Sequence, residues 1–205
     1  MAFHTDLKAA LLDQLGKDWV CFMPRWDVRR RVPWGHGTPD ALMLHHTAAA
    51  ATSSTSPANP GNLKGANDNV ITYIQTHYEV PAANCTLDRD GTVYLHSCWP
   101  VWHAGIGSFR GKRPWSSLDI PDDMGNDYMA GVEIMSKGLR PDFTEAQKDS
   151  LVFLLRAWRD ASGWPAANVL RRPRHRDWTS RKIDILYSQQ DVTDWINQYG
   201  YAPHD

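Results

Sequence analysis

Side chains able to bind metal or carry protons gather at three places in this 205-residue chain, each beside an apolar run. His45-His46 closes the run Ala41 to Leu44. Trp102-His103 falls with Glu133, which sits in the run Ala130 to Met135. The third place is the polar loop His175 to Asp184, which also carries Lys182. A hydrolytic metal centre of the zinc type takes three His, Asp/Glu or Cys ligands at about 2.0–2.3 Å and keeps a fourth position for water. Two histidines and one aspartate from these segments would complete that set. Each residue alone has a plainer reading. A histidine at a strand end is more often a hydrogen-bonded core residue, and His4, His36, His77, His96 and His204 are read that way. Glu133 lies where a carboxylate costs desolvation unless it has a task or a partner, such as an arginine. Lys182 has Arg171, Arg172, Arg174, Arg176 and Arg181 as neighbours and reads equally well as surface charge.

The elements that must position these residues follow from periodicity and punctuation. Thr5 to Gly16 reads as an amphipathic helix on Leu7, Leu11, Leu12 and Leu15, and Pro24 to Pro39 as an ordered wrapping loop. Ala41 to Leu44 is a buried strand whose adjacent histidines must face opposite ways. Ser53 to Asn69 reads as loop and Val70 to His77 as a weak helix. Asn84 to His96 reads as a hairpin with Asp90-Gly91 as a two-residue turn. Gly105 to Asn126 is long enough for a functional rim. A strand at Ala130 to Met135 follows. The capping box Thr144-x-x-Gln147 opens a helix with Leu151, Leu154, Leu155 and Trp158 on one face and Gly163 past its end. Ser188 to Tyr199 is the last helix, with Gly200 as its stop. The expected fold is α/β, a central mixed β-sheet flanked by helices. Residues 1–40 are read as a helix and wrapped loop of the same domain as 41–205, with no separate wall-binding domain.

Composition narrows the partners. Twenty-two basic residues against 23 acidic ones leave no basic footprint, so no nucleic-acid partner is expected. Nor does any stretch approach a membrane span, and Lys8 and Asp13 interrupt the first helix as a signal peptide. Cys21, Cys85 and Cys98 form no CxxC pair and are expected as reduced thiols. Of the ten tryptophans, Trp26, Trp34, Trp99, Trp102, Trp115 and Trp178 fit corner packing, with a few available to line a groove. A monomer is expected.

Five ordered segments resemble the type 2 N-acetylmuramoyl-L-alanine amidases, a superfamily that includes phage lysozymes, muropeptide-recycling amidases and animal peptidoglycan recognition proteins. They are Leu42 to Thr47 (LMLHHT), Asn84 to Val93 (NCTLDRDGTV), Val101 to Gly105 (VWHAG), Ala130 to Glu133 (AGVE), and His175 followed by Lys182-Ile183-Asp184. The resemblance implies that fold, peptidoglycan as substrate, and Zn2+ held by His45, His175 and Asp184, with His46 the competitor of His45. It implies Glu133 as general base and Lys182 as the cation facing the substrate carbonyl. Ala83 stands where the family's polar tyrosine would be, which puts more weight on Glu133. His103, Trp102, Asn84 and Asn126 are implied substrate contacts. The implied setting is a phage endolysin, made in the host cytoplasm without a signal peptide and acting on the wall after release. The alternatives are a cytosolic recycling amidase and a non-catalytic peptidoglycan-binding module.

Overall fold

The computed structural model describes residues 3–29, 32–48, 66–165 and 171–199. Its strands are β1 (Val20–Phe22), β2 (Ala41–His46), β3 (Cys85–Leu87), β4 (Val93–Leu95) and β5 (Met129–Ile134). The helices are α1 (Phe3–Leu15), α2 (Ala66–Thr76), α3 (Gly125–Tyr128), α4 (Glu145–Ser162), α5 (His175–Trp178) and α6 (Gln189–Tyr199), with a 3-10 turn at Trp115–Leu118. The five strands form one mixed sheet in the order β1-β4-β3-β5-β2, all pairs parallel except β3 with β4. The α/β class expected from the sequence is the one observed.

Strand alternation divides the sheet into two faces. Leu42, Leu44, Cys85, Leu87, Val93, Leu95, Ala130, Val132 and Ile134 face α1, α4 and α6 and join the main core. Leu7 and Leu11 of α1 and Leu151, Leu154, Leu155 and Trp158 of α4 are fully buried there. Each such side chain contributes roughly 1.5–3 kcal/mol by leaving water. The α4 ends are as the sequence predicts: Thr144 and Gln147 cap each other reciprocally, and Gly163 ends the helix at φ 69°. On the opposite face Ala41, Met43 and Met129 pack under Phe109, Trp115, Leu118, Ile120 and Trp178. Further along, Cys21 and Tyr94 pack under Ile71 of α2.

Several local expectations change. The hairpin turn has three residues, Arg89 to Gly91, because Asp88 N–H still bonds Thr92 O at 2.8 Å. Gly91 supplies the left-handed residue of that turn at φ 94°. The polar stretch from Ser53 lies outside the described residues up to position 65, and α2 begins at Ala66, inside the expected loop. Gly200 and His204 also lie outside. The three-residue β1 and the four-residue α3 and α5 were not anticipated, being too short to show a period. Trp34, Trp115 and Trp178 are buried, whereas Trp102 is 43% exposed.

Candidate metal centre

Alternation along β2 decides between the adjacent histidines. His45 shares the face of Ala41 and Met43 and is buried, while His46 points the other way, against Gly138. His175 is delivered to the same place by the chain before it. Residues 171–174 run beside β2, with Leu42 N–H bonding Arg171 O and Leu44 N–H bonding Pro173 O, both at 2.8 Å. The loop after α5 then folds back so that Arg176 N–H meets Asp184 O at 2.8 Å. His45, His175 and Asp184, some 139 positions apart at the extremes (184 − 45), are thereby brought together, all three buried.

The facing atoms are His45 Nδ1, His175 Nδ1 and Asp184 Oδ2. They form a triangle with sides of 2.9, 3.2 and 3.5 Å. Ligand atoms of a tetrahedral zinc site stand roughly 3.3 Å apart, so the triangle has the right size. The protonation pattern has the right sense too. His175 Nε2 lies 3.0 Å from Ala104 O and must donate to it, so the tautomer this contact selects is the one that carries its lone pair on Nδ1. His103 Nε2 donates to Met129 O at 2.7 Å, so its Nδ1 accepts from His45 Nε2 at 3.1 Å. His45 Nδ1 is bare in consequence. Burial, reinforced by neighbouring imidazoles, holds His103 neutral well below the usual range. For His45 burial lowers the value to about 4 despite the Asp184 carboxylate beside it. In that pair of neutral tautomers two nitrogen lone pairs and a carboxylate face one another, and a cation is what such a set binds.

Glu133 is the neighbour of His45 across the β2–β5 pair and of Thr86 across β3–β5, so it shares their face. Its Oε2 is sealed from solvent and has no hydrogen-bond partner among the described residues. Burial, with the charge of Asp184, pushes its carboxyl up to about 8, against the opposing pull of Lys182. Lys182 itself is exposed and close enough for its charge to act on both Glu133 and His45.

The residues read as substrate contacts divide. Trp102 stands out at the rim. Asn84 is fully buried, its amide donating to Ser97 O and Trp99 O and accepting from Gly131 N–H. Asn126 is buried, and its Oδ1 accepts from the backbone N–H groups of His103 and Ala104. His103 has both ring nitrogens engaged inside. Their polar atoms face the protein because each one satisfies backbone or ring groups that would otherwise be buried unpaired.

Other contributors escaped the sequence reading. Ala104 and Met129 act through carbonyls, which carry no residue signature. Asp177 binds Arg174 N–H and guanidinium, Trp115 Nε1 and Gln189 Nε2, anchoring the turn that starts at His175. Gly131 did leave a trace: a glycine inside an apolar strand marks close approach. A Cβ there would come within 2.6 Å of the His103 ring.

No curated protein sequence matches this chain. Among solved structures it resembles a selenomethionine derivative of AmpD with a TM-score of 0.53 and 22% identity, covering 82% of this chain and 93% of that one. Drosophila PGRP-LB superimposes with a TM-score of 0.53 at 14% identity, covering 90% and 96% respectively. The endolysin amidase LysCS from Clostridium intestinale gives 0.51 at 14% identity, covering 87% and 95%. At these identities the likeness is one of fold. The sequence model for N-acetylmuramoyl-L-alanine amidase matches residues 35–185, which include every residue of the candidate centre, and the chain belongs to that family of amidases.

Proposed function

We propose that this amidase is zinc-dependent and cuts the amide between N-acetylmuramic acid and L-alanine of peptidoglycan, with His45, His175 and Asp184 holding the metal. The observation that carries the reading is the convergence of two buried imidazole nitrogens and one carboxylate oxygen within 2.9–3.5 Å of one another. When bound, zinc supplies Lewis acidity, which lowers the pKa of water and polarises a carbonyl. The remaining work falls to the chain. A cation held beside Glu133 would favour its ionised form, and the carboxylate then takes a proton from the attacking water and returns it to the leaving alanine nitrogen, one group serving as base and then acid. That Oε2 has no partner among the described residues suits that task, since none of their hydrogen bonds has to break first. The Lys182 ammonium steadies the negative charge that grows on the carbonyl oxygen. Trp102 offers an exposed flat face to sugar or peptide at the rim.

Elemental analysis of the purified protein tests the metal: one zinc per chain is expected, and full amidase activity in protein stripped of zinc would overturn the reading. For its setting, we infer an endolysin acting on intact wall. The long Gly105 to Asn126 segment and the exposed Trp102, Ile106 and Met124 support a broad, accessible rim. Clearing of intact sacculi is the expected result. Cleavage confined to soluble muropeptides would assign a recycling role instead.

A further inference from the structure

We propose that Asn126 is the positioning residue for both imidazole ligands, acting through one side-chain oxygen. The inference rests on the metal reading above. Asn126 sits in α3, immediately before the strand that carries Glu133, and is buried. Its Oδ1 accepts from His103 N–H at 2.8 Å and from Ala104 N–H at 2.7 Å. Those two consecutive residues are the ones that orient the ligands: the His103 ring accepts from His45 Nε2, and Ala104 O accepts from His175 Nε2. One acceptor therefore fixes a dipeptide whose side chain aims one imidazole and whose carbonyl aims the other. Met129, which caps α3 and opens β5, holds the far side of the His103 ring through its carbonyl. Gly131 leaves the space that ring occupies. Outer partners of this kind set the ring orientation and tautomer of metal-bound histidines. Here both histidines depend on the same oxygen, so their orientation is coupled.

The chemistry of the contact predicts which substitutions matter. Only an acceptor oxygen is needed at this position, so aspartate supplies it and alanine does not. The test is zinc affinity by competition with a chromophoric chelator, on full-length protein whose folding is checked by near-ultraviolet circular dichroism. Asn126→Ala is expected to weaken zinc binding by about 10–100-fold, and Asn126→Asp to stay within about threefold of wild type. Cobalt-substituted Asn126→Ala should also lose the intense visible bands of a tetrahedral site, a change that loss of stability alone would not produce. His103→Phe keeps an aromatic ring and removes both ring nitrogens, so it tests the His45 arm even where Asn126→Ala does not fold. A weaker affinity is expected for it as well. Wild-type affinity in folded Asn126→Ala or in His103→Phe would overturn the proposal, as would Asn126→Asp binding no better than Asn126→Ala. Wild-type protein that takes up no zinc would overturn the metal reading and this one together; normal uptake with indifferent variants would overturn this one alone.

Discussion

Two sets of buried histidines lie on the same face of the sheet, and they differ in what their nitrogens face. His96 is fully buried between Thr86 and Gln75. The Gln75 amide donates to Pro24 O, so its Oε1 accepts from His96 Nδ1 at 2.8 Å, and His96 Nε2 accepts from the Thr86 hydroxyl at 2.8 Å. Every donor there meets an acceptor and the chain of bonds closes. At His45 and His175 the outer nitrogens are spoken for by His103 and Ala104 O, and the inner nitrogens face each other and the Asp184 carboxylate. Burial is common to both sets; only the second leaves a charge-shaped gap. The lesson is that a metal site is recognised by unmatched acceptors, and a buried histidine by itself signals nothing.

Breaking the open set should have the largest effect. Asp184→Asn is expected to eliminate stoichiometric zinc and amidase activity, a loss beyond the roughly 10–100-fold typical of outer partners. His96→Gln, by contrast, should keep both when folded, as read by elemental analysis and muropeptide release. Next comes Glu133→Gln, which should retain zinc while the rate falls by about 10²–10⁴-fold; a rate within a few fold of wild type would remove Glu133 from proton transfer.

The two sets also predict opposite pH dependences in metal-free protein. Glu133 has its folded value raised from 4.5 to about 8, so the stability it contributes is complete below about 4.5 and is lost as pH rises through about 8. His96 has its folded value lowered from 6.5 to about 3 by burial, with the Arg29 charge adding to the effect. Its contribution is present above 6.5 and is lost as pH falls through about 3. Urea denaturation across pH should therefore show Glu133→Gln flattening the alkaline limb by an amount on the order of a few kcal/mol. The acid limb should remain. An unchanged alkaline limb would mean Glu133 ionises freely in the folded chain. The smallest effect belongs to His36, half exposed beside Asp40 at 2.9 Å. His36→Ala should shift stability by no more than about 0.5 kcal/mol.

What the sequence disclosed, and what it withheld, follows the range of the interactions. The α4 helix was legible to its caps because Thr144, Gln147 and Gly163 act within a few residues of one another. The mixed sheet followed from the alternation of helical and extended runs. That His45 and His46 face opposite ways was legible because alternation is a local property of a strand, whereas the preference for His45 came from the family resemblance. The inward turn of Asn84 and Asn126 was not legible. Their partners are backbone groups up to 47 and 23 positions away, and a backbone group looks the same in every sequence. Short elements such as β1 and α5 exist because neighbours hold them, and three or four residues carry too little pattern to announce it.

Asp177 has a consequence for motion. Its carboxylate ties the first turn after Arg174 to Trp115 in the long loop and to Gln189 at the start of α6. His175 lies within that turn, so anything that immobilises the histidine also restrains two segments that hold no ligand. Amide hydrogen exchange should therefore slow at residues 115–118 and in the opening turn of α6 when zinc is added, and Asp177→Ala should confine the slowing to the metal centre itself. Occupancy of the candidate centre would then be legible in segments that hold no ligand, as a change in how often they breathe.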